Sequence, residues 1–363
     1  MDQSVQKIRV LFLCEDPGGR DRARAFERIL GPQGVVVTYI PFDVTLRSWL
    51  KTVAVSDVIV VLFYGDYSDR IGVYLAYAAA RGVPISRWWV GGDVWDCITS
   101  PRIRSRSLKL NRIVSTNVAV ASHLTVELAE LGFEAKTINS SFSMKVDGLT
   151  PSATSHTKLP KGVLIYLPTA QFKFYGGEVA RCVIRANSDL TFLIVGGCDA
   201  RAFEGLRNVR CLGWVNDMAR LYDEVGCVLR VTEHDGLPRT VLEALWRGRY
   251  VIYSFPIEGC WLARTEEEVH EKLRQFRVAK GPNVEGMAAM TRLFEPDPAK
   301  LWVATLYGAT RDNQRLTRFT ALRTLVRLCV RCVKSKCVPR WFSSNDARFG
   351  PVRSMADETG YGH

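Results

Sequence analysis

The sequence predicts an α/β protein made of two doubly wound, parallel-sheet domains that face each other across a cleft. Three observations predict it. The chain has 363 residues, too many for one ordinary core and about right for two domains of roughly 150 to 200 residues each. Short apolar runs alternate with helix-length segments twice over, which is how strands covered on both faces by helices read. Between the two alternations lies DGLTPSATSHTKLPK, Asp147 to Lys161, rich in Pro, Ser and Thr and without an apolar period, as an interdomain linker is. Residues 1–147 are therefore read as the N-terminal domain, 148–161 as the linker, 162–310 as the C-terminal domain and 311–340 as a basic amphipathic helix.

In the first half the strand-like runs are Ile8 to Cys14, Val35 to Ile40, Asp57 to Tyr64, Pro84 to Val90 and Asn117 to Ala121. The helices expected between them are Arg20 to Leu30, Leu46 to Val55, Ile71 to Arg81 and His123 to Leu131, three of which end at Gly31, Gly82 and Gly132. Glycine is the usual stop where a helix feeds a strand. The second half repeats the pattern with strands at Gly162 to Leu167, Leu190 to Val195, Val209 to Leu212, Cys227 to Val231 and Tyr250 to Ser254. Its helices are expected at Glu178 to Ala186, Met218 to Val225, Thr240 to Arg247 and Glu266 to Phe276. Doubly wound sheets bind ligands at the carboxyl ends of their strands, so the cleft is the expected site.

The composition, 47% hydrophobic and 24% charged, is that of a folded globular chain. The N-terminus has no signal-peptide pattern, and the most apolar stretch, Val58 to Tyr64, is strand length, far short of the roughly 20 residues of a spanning helix. The expected location is cytoplasmic, peripheral at the inner membrane surface. The ten cysteines are scattered among apparent strands and helices, as small buried thiols are. Only Cys329 and Cys332 form a C-x-x-C pair, with Cys337 nearby, and no second pair or histidine completes a metal set. No metal and no cofactor is expected.

The formal net charge is +12. Nine basic residues fall between Arg311 and Arg340, and a second cluster comprises Arg102, Arg104, Arg106, Lys109 and Arg112. Such patches suit phosphate-bearing or membrane-surface partners. Nucleic acid is not an expected partner, because no helix-turn-helix, finger or stacking sheet accompanies the charge. In Gln314 to Lys334 the apolar residues Leu316, Phe319, Leu322, Val326, Cys329, Val330 and Val333 recur at helical spacing, bordered by Arg315, Arg318, Arg323, Arg327 and Arg331. This segment is read both as a contact to anionic membrane and as a clasp packed back on the N-terminal domain.

The most informative segment is TEHDGLPRTVLEALWRGRYVI, Thr232 to Ile252. It leaves a strand, turns at Asp235-Gly236, enters a helix at Pro238 and sets Glu243 one turn further on, so that two acids separated by seven residues can face the cleft. A carboxylate can accept two hydroxyl hydrogen bonds, and the amides of Gly236 to Thr240, at a helix N-terminus, suit phosphate.

This segment resembles the E-x7-E motif of the retaining GT-B glycosyltransferases of the group 1, or family 4, class. Phe192 to Gly197 (FLIVGG), Leu212 to Val215 (LGWV) and Asp217 fall in the order that family shows, so the likeness covers most of the second half. It is weaker in the first, where Asp16-Pro-Gly-Gly and Trp89-Val-Gly-Gly-Asp-Val-Trp stand for the glycine loop and the acceptor-side motif. The resemblance implies a GT-B fold of two Rossmann-like domains and transfer of a hexose-type sugar, with retention and without a metal, from a nucleoside diphosphate sugar to a glycan or lipid-linked acceptor. Carried onto matching residues, it implies that Glu243 holds the donor ribose, that the base lies against Gly213 to Val215, and that Asp235 sits near the transferred sugar, with Asp93 as a second catalytic candidate. Gly236, Arg239, Lys173, Gly18 and Gly19 complete the candidate substrate contacts.

The sequence departs from the family at Asp235, where a longer Glu is usual, at the bulky Trp246, and at Pro168, where the family carries the arginine that partners Lys173 on the diphosphate. Arg239 or Arg20 would have to substitute. His123 reads as a polar residue near a helix cap, and His234, beside Asp235, as a lining residue of the cleft. The alternatives are a sugar-nucleotide epimerase using His234 and Asp235, and a protein that binds sugar nucleotide without turnover.

Overall fold

The computed structural model describes residues 7–14, 19–62, 69–139, 159–293, 295–311, 322–323 and 325–326. Gly18, most of the expected linker, the C-x-x-C pair and most of the expected C-terminal helix lie outside the described residues.

The first half runs β1 (Ile8–Cys14), α1 (Gly19–Leu30), β2 (Val35–Pro41), α2 (Leu46–Ala54), β3 (Val58–Leu62), α3 (Asp69–Ala80), β4 (Ile85–Trp89), α4 (Gly92–Thr99), α5 (Pro101–Asn111), β5 (Thr116–Ala119), α6 (Ser122–Glu130) and β6 (Lys136–Thr137). Its strands are parallel in the order β2-β1-β3-β4-β5-β6. Successive side chains of a strand point to opposite faces. Phe12 and Cys14 accordingly join the core under α1, while Leu11 and Leu13 join Trp49 and Val53 of α2 on the other side. Helices α4 and α5 occupy a stretch whose sequence reads mainly as charge. Ser100 accepts a hydrogen bond from the Ile103 amide and Pro101 opens the first turn of α5, a start signal carried by the cap and not by apolar period.

The second half runs β7 (Gly162–Tyr166), α7 (Gly177–Ala186), β8 (Thr191–Val195), β9 (Val209–Cys211), α8 (Met218–Glu224), β10 (Cys227–Arg230), α9 (Arg239–Trp246), β11 (Tyr250–Tyr253), β12 (Trp261–Leu262), α10 (Glu266–Val278) and α11 (Val284–Leu293). Asp217 caps α8, and Thr265 with Glu268 forms a capping box at α10, each satisfying amides that a helix start leaves open. The parallel order is β12-β11-β10-β7-β8-β9. The winding direction reverses between β7 and β10, and the crevice beyond their carboxyl ends is where such a sheet takes a ligand.

Helix α12 (Pro298–Arg311) then returns to the first half. Its stripe of Ala299, Trp302, Leu306 and Ala309 belongs to the core that contains Phe26 and Trp88. The Trp302 ring meets Phe26 at 5.1 Å and Trp88 at 5.0 Å, both edge-on, the geometry aromatic quadrupoles favour. The chain thus recrosses before residue 311, earlier than the helix expected at 311–340. Of that helix, Leu322, Arg323, Leu325 and Val326 are described, with Leu325 packed on the core under α2 and α3. Among the described residues, no helix is long and apolar enough to cross a membrane.

Candidate functional site

A cavity of about 420 Å³ opens at the carboxyl edge of the second sheet. Its wall is made by Tyr166 at the end of β7, Gly196 after β8, Trp214 and Val215 between β9 and α8, Tyr222 of α8, and Arg239 and Glu243 of α9. Pro238 stands at the N-cap of α9, and one turn on, Glu243 is only 6% exposed. Both its oxygens are engaged: Oε2 accepts the Tyr222 hydroxyl at 2.9 Å and Oε1 accepts Arg239 Nε at 2.5 Å. Burial and then the Glu243 charge hold the Tyr222 phenol well above its ordinary pKa, so it stays a donor. Trp214, by contrast, is 63% exposed at the rim. Gly213 supports that rim through its carbonyl, which accepts the amides of Gly196 at 2.9 Å and Gly197 at 3.3 Å.

Beside the cavity, at the sheet's reversal point, Arg230 ends β10. Its Nε donates to Asp235 Oδ2 at 2.6 Å, in a pair whose side chains are 8% and 16% exposed. The guanidinium carbon lies 5.4 Å from the Tyr166 ring centroid and 5.1 Å from that of Tyr175, within cation–π range. Burial opposes the Arg230 charge, but the Asp235 carboxylate outweighs it and the pKa rises. The other oxygen, Asp235 Oδ1, accepts the Gly236 amide at 3.0 Å. Asp235 is therefore held rigidly, as half of a neutral pair.

Asp93 lies across the cleft at the start of α4, 2% exposed. Its Oδ1 accepts the amides of Val90 at 3.1 Å, Gly91 at 3.2 Å and Val94 at 3.1 Å, while Oδ2 is buried without a hydrogen bond. Burial pushes its pKa up, against the pull of Arg87 and these amides. The arrangement makes Asp93 the internal brace of the Gly91-Gly92 loop. That loop meets the Asp235 turn directly: a Cβ on Gly91, where φ is +119°, would come 2.7 Å from the Gly236 amide nitrogen, and one on Gly236 would come 2.1 Å from the Val90 carbonyl oxygen. Only glycines permit this approach.

Lys173 is exposed after the Thr169–Gln171 turn and is not in the cavity wall. The next residue, Phe174, accepts the Glu233 amide at 2.9 Å, which ties the Lys173 loop to the Asp235 turn. Gly19 opens α1 against Cys14 and Tyr39, where a Cβ would come within 2.8 Å of Cys14; its glycine is explained by helix-on-strand packing. Arg20 is exposed, 5.9 Å from the Tyr39 ring. Glu243, Arg239 and Val215 are thus brought together at the cavity, Asp235, Gly236 and the Asp93 loop at the contact between the halves, and Gly213 behind the rim.

Residues 169–295 match the family model described as Glycosyl transferases group 1. HepE from Anabaena, solved in complex with UDP and glucose, is similar at TM-score 0.58 and 14% identity, over 83% of this chain and 100% of that one. The fold is GT-B. The pneumococcal O-GlcNAc transferase GtfA, in complex with UDP and GlcNAc, is similar to the GT-B chain at TM-score 0.54 and 13% identity, over 74% of this chain and 60% of that one. UDP-N-acetylglucosamine 2-epimerase from Rickettsia bellii is similar at TM-score 0.52 and 13% identity, over 85% and 99%. No curated protein sequence matches the chain.

Several residues of this candidate site escape sequence reading. Arg230 closes an apolar run and reads as a strand end. Tyr222 sits on α8 among ordinary helix residues, 21 positions from the carboxylate it serves. Glu127 reads as a solvated helix acid, yet its Oε2 lies 2.9 Å from His234 Nε2. The one usable signal was Trp214, a large aromatic between Gly213 and the cap Asp217.

Proposed function

We propose that the protein transfers a hexose-type sugar from a nucleoside diphosphate sugar to an acceptor hydroxyl. The observation that carries this reading is the buried Glu243 carboxylate in the wall of the cavity beside the N-terminus of α9. Tyr222 and Arg239 occupy the two Glu243 oxygens. Ribose hydroxyls would take over the Oε1 position and release the Arg239 guanidinium toward the diphosphate, a charge-assisted contact that strengthens as the leaving group gains charge. The base would lie against Val215 at the rim, and Lys173 and the first amides of α9 would meet phosphate oxygens.

Asp235 would stabilise positive charge on the sugar ring, with Arg230 fixing its orientation and facing the diphosphate in place of the cation that Pro168 lacks. The diphosphate itself would take the acceptor proton on the face it leaves, which gives retention and requires neither a metal nor a dedicated base. Asp93 would shape the acceptor side through the Gly91-Gly92 loop. The acceptor is read as a glycan or a lipid-linked glycan, with the basic first half against an anionic membrane.

Incubation with a panel of nucleoside diphosphate sugars and oligosaccharide acceptors tests this, with release of nucleoside diphosphate and the anomeric configuration of the product as readouts. Inversion would discard the same-face step. The absence of a cation at Pro168 favours one second reading, donor binding without turnover, which predicts calorimetric binding and no release. Interconversion of the donor sugar without release would identify an epimerase.

A further inference from the structure

The turn that carries Asp235 is held from both halves of the molecule. Within its own half, Thr232 donates its amide to Ser254 Oγ at 2.9 Å and its hydroxyl to the His234 carbonyl at 3.0 Å. Glu233 donates to the Phe174 carbonyl at 2.9 Å. From the other half, α6 presents His123 and Glu127, one helical turn apart and so on one face. His123 Nε2 lies 3.0 Å from the carbonyl oxygen of Asp235, and Glu127 Oε2 lies 2.9 Å from Nε2 of the buried His234.

The chemistry of these contacts is directional. A carbonyl and a carboxylate only accept, so both imidazoles must carry hydrogen on Nε2. The Nδ1 atoms of both rings are buried without a hydrogen bond, which fits the same tautomer. The rings are also locked by stacking: His123 on Phe255 at 5.0 Å and 25°, His234 on Trp95 at 5.4 Å and 28°. Phe255 belongs to the second half and Trp95 to α4 of the first. Each histidine therefore makes one hydrogen bond and one ring contact across the boundary between the halves.

Resting on the sugar-transfer reading, we propose that His123 and Glu127 are positioning residues for Asp235, and that its alignment is conditional on the two halves being apposed. Separation of the halves breaks both hydrogen bonds and leaves the turn only its contacts within the second half. Glu243 and the cavity belong to the second half alone, so donor can bind in either state. The Arg230 pair holds the Asp235 carboxylate in either state, and its final alignment comes when α6 docks on the Asp235 carbonyl and His234.

The test uses the full chain with His123→Phe, which keeps a ring against Phe255 but has no donor, and His123→Gln, which keeps an amide N–H. Glu127→Ala attacks the second contact separately. Hydrogen exchange at residues 233–236 reads the turn without reference to activity. It is expected to accelerate roughly tenfold in His123→Phe and Glu127→Ala, the scale of one lost hydrogen bond, and to stay near wild type in His123→Gln. In turnover, kcat falls about tenfold in the first two variants, donor KM changes less than about threefold, and His123→Gln restores kcat. Wild-type exchange in both His123→Phe and Glu127→Ala, or a rise in donor KM that accounts for the whole loss, overturns the proposal. If wild type releases no nucleoside diphosphate from any donor, the sugar-transfer reading fails, while the exchange result still decides whether α6 holds the turn.

Discussion

Glu243 is the residue on which the proposed nucleotide site turns, and its two partners decide how the proposal should be tested. Replacement by Ala would leave the buried Tyr222 hydroxyl only the Thr240 carbonyl at 3.2 Å in place of a charged partner and would empty buried volume on α9, so loss of binding and loss of fold would mix. Glu243→Gln keeps an acceptor for Tyr222 while removing the charge and one acceptor. It is expected to weaken nucleoside diphosphate about tenfold or more in calorimetry with little change in thermal unfolding; unchanged affinity would move the ribose elsewhere. Asp93 offers a test by pH. Burial raises its folded pKa, so across the window between the ordinary carboxylate range and that raised value the folded state holds a proton that the unfolded chain has lost. Stability contributed by Asp93 is full below the window and is lost as pH rises through it. Asp93→Asn removes this dependence, so wild type should lose stability relative to the variant as pH rises above the ordinary carboxylate range in urea unfolding. A pH-independent difference would show that the side chain titrates alike in both states.

At the scale of elements, periodicity and punctuation carried the reading where helices follow strands with clear stops. Helix α9 was legible to within a residue because Pro238 opens it and Gly248 follows it. The expected strands likewise differ from β7, β8 and β10 by a residue at an end. Helices α4, α5, α11 and α12 were not legible. The charge of PRIRSRSLKLN hides the Ser100 cap, and the stripe of α12 is informative only once the core it fills is known. The contacts of the candidate site were half legible for a related reason. Glu243 and Asp235 lie on one motif, whereas the Arg230 contact passes through folded geometry and the His123 contact spans 112 residues. Helix α12 yields its own prediction: Trp302→Ala opens a hole between Phe26 and Trp88 and should destabilise the protein by about 3–5 kcal/mol, measured as a shift in denaturant midpoint with donor affinity retained in the folded state. A loss below about 1 kcal/mol would mean that α12 does not hold the first half together.

For the whole molecule, the placement of charge bears on where it works. Helices α2 and α3 and the end of α5 cover one core of the first half, together with Leu325. Exposed on α2, at the end of α5 and beside Leu325 are Arg47, Lys51, Lys109 and Arg323, with Leu46, Leu50, Leu322 and Val326 among them. Sedimentation with vesicles is expected to rise with anionic lipid content and to fall with salt, since each cation contributes about 1 kcal/mol near such a surface; binding indifferent to both would remove the membrane from the reading. The return of α12 has a different consequence, one of modularity. The two halves look like separate units along the chain, but the first is completed by a segment synthesised after the second. A fragment ending near residue 147 would leave the Phe26 and Trp88 rings without their cover, and soluble recovery of that fragment should require residues 298–311 supplied in trans. Exchange of halves between proteins of this architecture would have to carry the returning helix with the first half and not with the second. Cotranslationally, the first half stays unfinished until residues 298–311 have left the ribosome.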